Sequence, residues 1–266
     1  MKLLAIGVVL AVFGVPALPG QDLPAWVLEL SRVKRHARES FQHIPNYVCR
    51  ETIDRFAKRP HAGSFEKLDT LHLEVASVDG RELLAAAGAS RFEDVDASSY
   101  ILEGAIGTGS FSGLVLNLFV HDNALVSHWR EAQAQSRTAL AYDFEMTAFN
   151  SGYQLKSGSA SATVGLRGTF WVDKESLDLL QIEEHAVGIP YDLGMSDVDT
   201  AITFAPAPIG SSVVLLPQSA ETVIKERQGG ENKNVTRFSG CRAYTSESVI
   251  RFDTLEPPPP PGKKSP

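Results

Sequence analysis

The spacing of hydrophobic and polar positions changes several times along this chain, and each change marks an element. From Pro24 to Ile44, the apolar residues Trp26, Leu30, Val33, Ala37, Phe41 and Ile44 recur three or four positions apart. That spacing gathers them on one stripe of an α-helix and leaves Arg32, Lys34, Arg35 and Arg38 mostly on the other faces. Asp22 can cap the start, and Pro24 suits the first turn because its missing N–H has no helical partner there. Pro45 ends the run. The pattern predicts an amphipathic helix laid over a core, its basic side solvated and diluted by Glu29 and Glu39.

After Pro45 the period falls to two. "NYVCRETIDRFAK" is extended. In "LHLEVASVDGREL", Leu71, Leu73 and Val75 alternate with His72, Glu74 and Ala76, and Asp79-Gly80 supplies a tight hairpin turn. "ALAYDFEMTAF" alternates through Leu140, Tyr142, Phe144 and Met146. "TVGLRGTFWVDKESLDLLQIEEHAV" predicts a hairpin with Val164, Leu166, Phe170 and Val172 on one face and Asp173 capping the "DKES" turn. Two more strands flank "APAPIGSS", and one or two lie in "NKNVTRFSGCRAYTSESVIRF". The expected fold class is α+β: about eight to ten antiparallel strands in meander order, with the N-terminal helix and a short central one.

The central helix follows a glycine-rich stretch, residues 104–113, and starts near Ser110 or Ser112. A glycine loop entering a helix can bind phosphate. This one lacks the GK[ST] ending of a P-loop, and Phe111 occupies the place a nucleophilic serine would need in "GSFSG". A lid or packing loop is the expectation.

The ends of the chain change the chemistry expected. Lys2 is followed by the uncharged run Leu3–Val15 and the small-residue exit "VPALPG", the layout of a secretory signal peptide cleaved after Ala17 or after Gly20. The run is shorter than the roughly 20 residues a bilayer span needs. The organisation expected is a signal at 1–20, one domain at 21–255, and a disordered proline-rich tail at 256–266. Formal charge is −7, or −8 once Lys2 leaves, and no basic block suggests nucleic acid. In an exported chain, two lone cysteines with no zinc spacing and no CxxC imply a disulfide, here Cys49–Cys241. Closing a loop of roughly 190 residues is worth about 5 kcal/mol by chain entropy. The bridge would tie the first strand to the last, where an open sheet has free margins.

The seven histidines form no zinc-type pair, so no metal or other cofactor is expected. "HDNALVSH" places His121 and His128 in a loop. In "QIEEHA", Glu183 and His185 share one face of a strand and Glu184 takes the other. A carboxylate–histidine pair can do acid–base work, though a solvated outer face is the simpler expectation. "NVT" at 234–236 fits a glycosylation sequon.

The whole layout resembles a known group. A signal peptide, an N-terminal helix and a long meander containing "GTFWVDKESLDLLQIE" are similar to the periplasmic outer-membrane lipoprotein-sorting carriers and their sensor relatives. "NYVCRETI", "SVDGREL", "GCRAY" and "SESVIRFD" resemble a set of secreted bacterial proteins of the same plan. The resemblance implies a strongly curved half-barrel with helices across its concave side, sheltering acyl chains in an apolar cavity. The carriers' cavity-opening arginine matches no position here. The expected function is a non-catalytic exported protein, periplasmic or extracellular, that carries or senses a lipid or lipoprotein. Its cavity would be lined by Trp26, Leu30, Val33, Phe170 and Val172. Two alternatives stand beside it. One is a dry-cored structural module for envelope protein partners. The other is a hydrolase that would need His121, His128, His185 and the 104–113 loop gathered in one place.

Overall fold

In the computed structural model, residues 23–79, 81–89, 91–95, 97–106 and 111–244 are described. The signal at 1–20 and the tail at 256–266 lie outside them. The helical stripe becomes α1 (Ala25–Gln42), which buries Leu30, Val33, Ala37 and Phe41. Alternation then carries the chain through β1 (Tyr47–Lys58), β2 (Glu66–Val78), β3 (Arg81–Ala86), β4 (Leu125–Ala134), β5 (Arg137–Met146) and β6 (Tyr153–Ser157). It continues through β7 (Ala160–Asp173), β8 (Leu179–Val187), β9 (Met195–Ile209), β10 (Ser212–Glu226) and β11 (Glu231–Ala243). The central helix is α2 (Phe111–Val115), extended by a π-helical turn at Leu116–Val120.

The expected eight to ten strands are therefore eleven among the described residues. The additions are β4 and β6. β4 lies at an edge of the sheet, and its mixed sequence "LVSHWREAQA" lacks the clean alternation of a half-buried strand. β6 is only five residues long, too short for its period to stand out.

The strands lie in the order β3-β2-β1-β11-β10-β9-β8-β7-β5-β4, with β6 paired to β7, and every pairing is antiparallel. The sheet is open, with β3 and β4 as its edges. One apolar cluster runs along the face that the helices cover, called the concave face below, from Leu140 and Phe144 of β5 through Phe170, Ile182 and Ile202 to Ala220 of β10. The concave face is filled by α1, α2 and the π-helical turn, whose Phe119 stands 5.1 Å from Phe170 and 6.3 Å from Phe41, centroid to centroid.

Tight packing also dictates one glycine. Gly168 faces inward between Leu166 and Phe170, where a Cβ would meet the Glu183 carbonyl oxygen at 2.0 Å and the Phe144 ring at 2.9 Å. No other residue fits there without displacing the strand.

The disulfide forms between Cys49 and Cys241, 192 positions apart, with Cα atoms at 4.0 Å. Its position corrects one expectation. It joins the first strand to the last, but β1 and β11 are neighbours inside the sheet and not its margins. The chain returns to pair its last strand with its first, and Cys49 sits at the irregularity between Val48 and Arg50 where the register shifts. The sulfurs pin a bulge, which bends the strand and strengthens its twist.

Replacing both cysteines by alanine is expected to cost about 2–5 kcal/mol in chemical denaturation; an unchanged midpoint with and without reductant would show that the bridge adds nothing. Gly168→Ala should cost about 1–3 kcal/mol through overpacking, measured in the same experiment.

Candidate functional site

The concave face of the sheet is not uniformly greasy. Following register from strand to strand, Glu184 on β8 pairs with Thr200 on β9, Thr200 with Thr222 on β10, and Thr222 with Asn234 on β11. Asn234 pairs with Arg55 on β1, and Arg55 with Asp69 on β2. Six polar residues on six adjacent strands thus form one row across the sheet. All except Asp69 are buried, Arg55 and Asn234 to 1% and 2% exposure. The neighbouring row, Ile182, Ile202, Ala220, Thr236, Ile53 and Leu71, is mostly apolar.

The row has a charged end and a neutral end. Arg55 donates from Nε and Nη2 to the two carboxylate oxygens of Asp69, at 2.8 and 2.6 Å, and from Nη1 to the Glu103 carbonyl at 2.7 Å. A bidentate pair of this kind compensates a buried guanidinium, and it holds the Asp69 carboxyl below its ordinary range. Asn232 accepts from the Ala105 N–H at 3.3 Å and donates to Glu226 at 2.9 Å. Together Arg55 and Asn232 hold the 103–105 segment onto the sheet. Gly104 permits the approach: its φ is +74°, and a Cβ there would meet Leu68 and Asn232 at 3.0–3.1 Å.

At the other end, Thr200 and Thr222 share a hydroxyl contact of 3.3 Å, and Tyr153 reaches the Thr200 hydroxyl. Burial pushes the Glu184 carboxyl up to about 8. Its Oε2, and both Oδ1 and Nδ2 of Asn234, are buried with no hydrogen-bond partner among the described residues. Asn234 belongs to the "NVT" sequon, but its burial removes it as a glycan acceptor in the folded chain.

Two hollows flank this row. One, of about 470 Å³, lies under the C-terminal end of α1 and is walled by Phe41, Tyr47, Phe111, Val115, Phe204 and Leu216. The other, of about 710 Å³, lies at the opposite end of the same strands beneath residues 101–106. Its walls include Ile101, Ile106, Leu155, Met195, Val198 and Ile224. Both volumes fall within the roughly 300–1,000 Å³ of ligand sites. A further carboxyl stands near the first hollow: Glu51 is pushed up to about 7 by burial and by the charge of Glu82. Glu82 accepts from the Ser112 hydroxyl at 2.7 Å and so tethers α2 to β3.

The five residues expected to line a cavity are placed in the core beside these hollows. Leu30, Val33, Phe170 and Val172 are packed in the central cluster with Trp26 against it, and none lines either hollow. The physical reason is the π-helical turn, which drops Leu118 and Phe119 into the middle of the concave face. The residues proposed for a hydrolase are not gathered either. His121 borders the first hollow, whereas His185 lies on the convex face with its ring 2.7 Å from Asp199. Asp173 does what the sequence suggested, accepting from the Glu175 and Ser176 N–H groups at 2.8 and 3.0 Å.

Sequence reasoning missed Glu184, Asn234 and Arg55. The signal was parity: Glu184 shares a face with Ile182 and Ala186, and Arg55 with Ile53, both on the apolar side.

A pH dependence follows from the two raised carboxyls. The folded protein retains protons on Glu184 and Glu51 that the unfolded chain releases near pH 4.5. Their contribution is therefore complete below about 4.5 and is lost as pH rises through about 7 and 8. Asp69 and Asp173 act in the opposite sense only below their ordinary 3.8. Glu184→Gln should flatten the upper part of this decline and exceed the parent in stability above pH 8, on the order of a few kcal/mol. Denaturant melts from pH 5 to 9 measure it, and parallel curves for the two proteins would contradict it.

No family model matches the chain, and no curated protein does. Among solved structures it is similar to a LolA superfamily protein from Nitrosomonas europaea, at 11% identity over 81% of this chain and 93% of that one, TM-score 0.41. It is also similar to a DUF1329 family protein from Desulfovibrio piger, at 12% identity over 84% and 97%, TM-score 0.41. The MucA/MucB complex of Pseudomonas aeruginosa matches at 12% identity over 82% and 98%, TM-score 0.23. These are similarities of layout at low identity; the site rests on the distances above.

Proposed function

We propose that this protein is a non-catalytic, exported carrier or sensor that shelters a lipid or a lipid-bearing protein between its sheet and its helices. The observation that carries the reading is the hollow of about 470 Å³ under α1, walled by Phe41, Phe111, Val115 and Leu216. A folded chain gains by filling such a space with its own side chains, because voids forfeit dispersion contacts. A hollow kept open beneath a helix suits an apolar guest. The disulfide fits an oxidising compartment, and no helix among the described residues is long and apolar enough to cross a membrane.

One observation favours a second reading. The centre of the concave face is solid, with Val33, Phe119, Phe170 and Val172 fully buried. That suits a scaffold which binds envelope proteins through its outer surface and takes no small ligand.

The two readings separate in one experiment. Lipids extracted from the gently purified protein should include acyl species, and a fluorescent fatty acid should bind the delipidated form. Val120→Trp, placed at the border of the first hollow, should weaken that binding by about tenfold, equivalent to about 1.4 kcal/mol, while leaving the melting temperature nearly unchanged. Absence of both acyl species and probe binding would favour the scaffold.

A further inference from the structure

The row across the concave face holds groups that no described residue satisfies. Glu184 Oε2 and both polar atoms of the Asn234 side chain are buried without a hydrogen-bond partner among the described residues. An orphaned buried group costs about 1–3 kcal/mol, and replacing it by an apolar residue of similar shape would remove that cost. Three orphaned atoms on a single register row, linked by the Thr200–Thr222 contact, form a pattern rather than an isolated defect. We propose that Glu184, Thr200, Thr222 and Asn234, on four successive strands, recognise the uncharged head, bearing several hydroxyl or amide groups, of an amphiphile whose chain lies in the adjoining 710 Å³ hollow. The inference rests on the reading above only in that the protein shelters an apolar guest; it places that guest in the second hollow rather than the first and names its ligand class.

Placement supports it. Val198 and Ile224, two positions along from Thr200 and Thr222, wall that hollow, and Tyr153 belongs both to its wall and to the Thr200 contact. The row itself lies behind that wall, one inward-facing step along each strand, so the head of a chain in the hollow would lie next to it. The charge of the row supports an uncharged head. Arg55 is its cation, and its guanidinium is taken up by Asp69 and the Glu103 carbonyl. Burial keeps Glu184 protonated at neutral pH, so it donates as well as accepts. Asn234 also offers both. Glu226, on the same rim, accepts from Asn232. A free carboxylate head would meet a buried neutral row and lose its hydration without a cation in return.

The test is calorimetric titration of the delipidated protein at pH 7 with 1-lauroylglycerol and with laurate, which share an acyl chain and differ in the charge of the head. The parent protein should bind the glycerol ester at least about tenfold more tightly, the effect of one or two well-made hydrogen bonds. Asn234→Leu should erase that preference by weakening the ester while leaving laurate within about threefold. Thr200→Val, a near-isosteric change, should lower it in the same direction if Asn234→Leu fails to fold. Equal affinity of the parent for both ligands would mean that water alone fills the row, and the inference falls while the carrier reading stands. The same holds if laurate binds more tightly, or if the preference survives in a folded Asn234→Leu or Thr200→Val protein. If neither ligand binds the folded parent, the inference and the carrier reading fall together.

Discussion

The pairing of β1 with β11 is the constraint on which the rest of this structure depends. Side chains alternate across a sheet, so a slip of one residue in that pairing would turn Arg55 or Asn234 from the concave face to the solvent. The register runs without a break from Arg50↔Ser239 to Lys58↔Glu231, and the disulfide stands at its irregular end. The last strand of a long meander is thereby joined to its first at a single seam, while the sheet stays open at β3 and β4. Everything on the concave face is then ordered by that seam: β2 and β3 extend one side, and β10 through β4 extend the other.

A sheet with an apolar lining would be more stable without a polar row through it. A buried carboxyl held in the wrong ionisation state for its solvent, and three strands away an amide with no partner among the described residues, oppose folding. The Arg55 end of the same row shows how such a cost is normally offset, with each guanidinium nitrogen given an acceptor within 2.8 Å. The contrast between a satisfied end and an unsatisfied end on one row is what separates structural polarity from polarity kept for a guest. Buried polar residues in native proteins that lack partners call for an explanation of this kind.

How much of this was legible beforehand depends on range. The α1 stripe and the Leu140–Tyr142–Phe144–Met146 alternation could be read directly, because helix and strand periods are properties of neighbouring residues. Glu184 was half legible. Two adjacent glutamates and a histidine suggested an outward patch, although Ile182 and Ala186 give the inward parity to Glu184 alone. The expected lining of Trp26, Leu30, Val33, Phe170 and Val172 lies on the covered face, in or against the central cluster. What fills the middle of that face is Phe119, from a π-helical turn whose docking against α1 is a tertiary event with no local period. The edge strand β4 was concealed for a related reason: an edge meets solvent along one side, and its sequence is under weaker demand to alternate.

The segment carried by Arg55 links these features mechanically. Residues 101–106 roof the second hollow, and three side chains on the sheet beneath determine their position. Arg55 holds the Glu103 carbonyl, Asn232 holds the Ala105 N–H, and Leu68 packs under Gly104. Two of those three contacts are hydrogen bonds made by residues on the inward face, close to where a polar head would rest. Arg55 belongs to the row beside which the proposed head would rest, and Asn232 stands two residues from Asn234 on the same face of β11. Polar side chains here therefore hold the roof in place as well as line the space a guest would use, which gives a physical reason for keeping them where leucine would fold better.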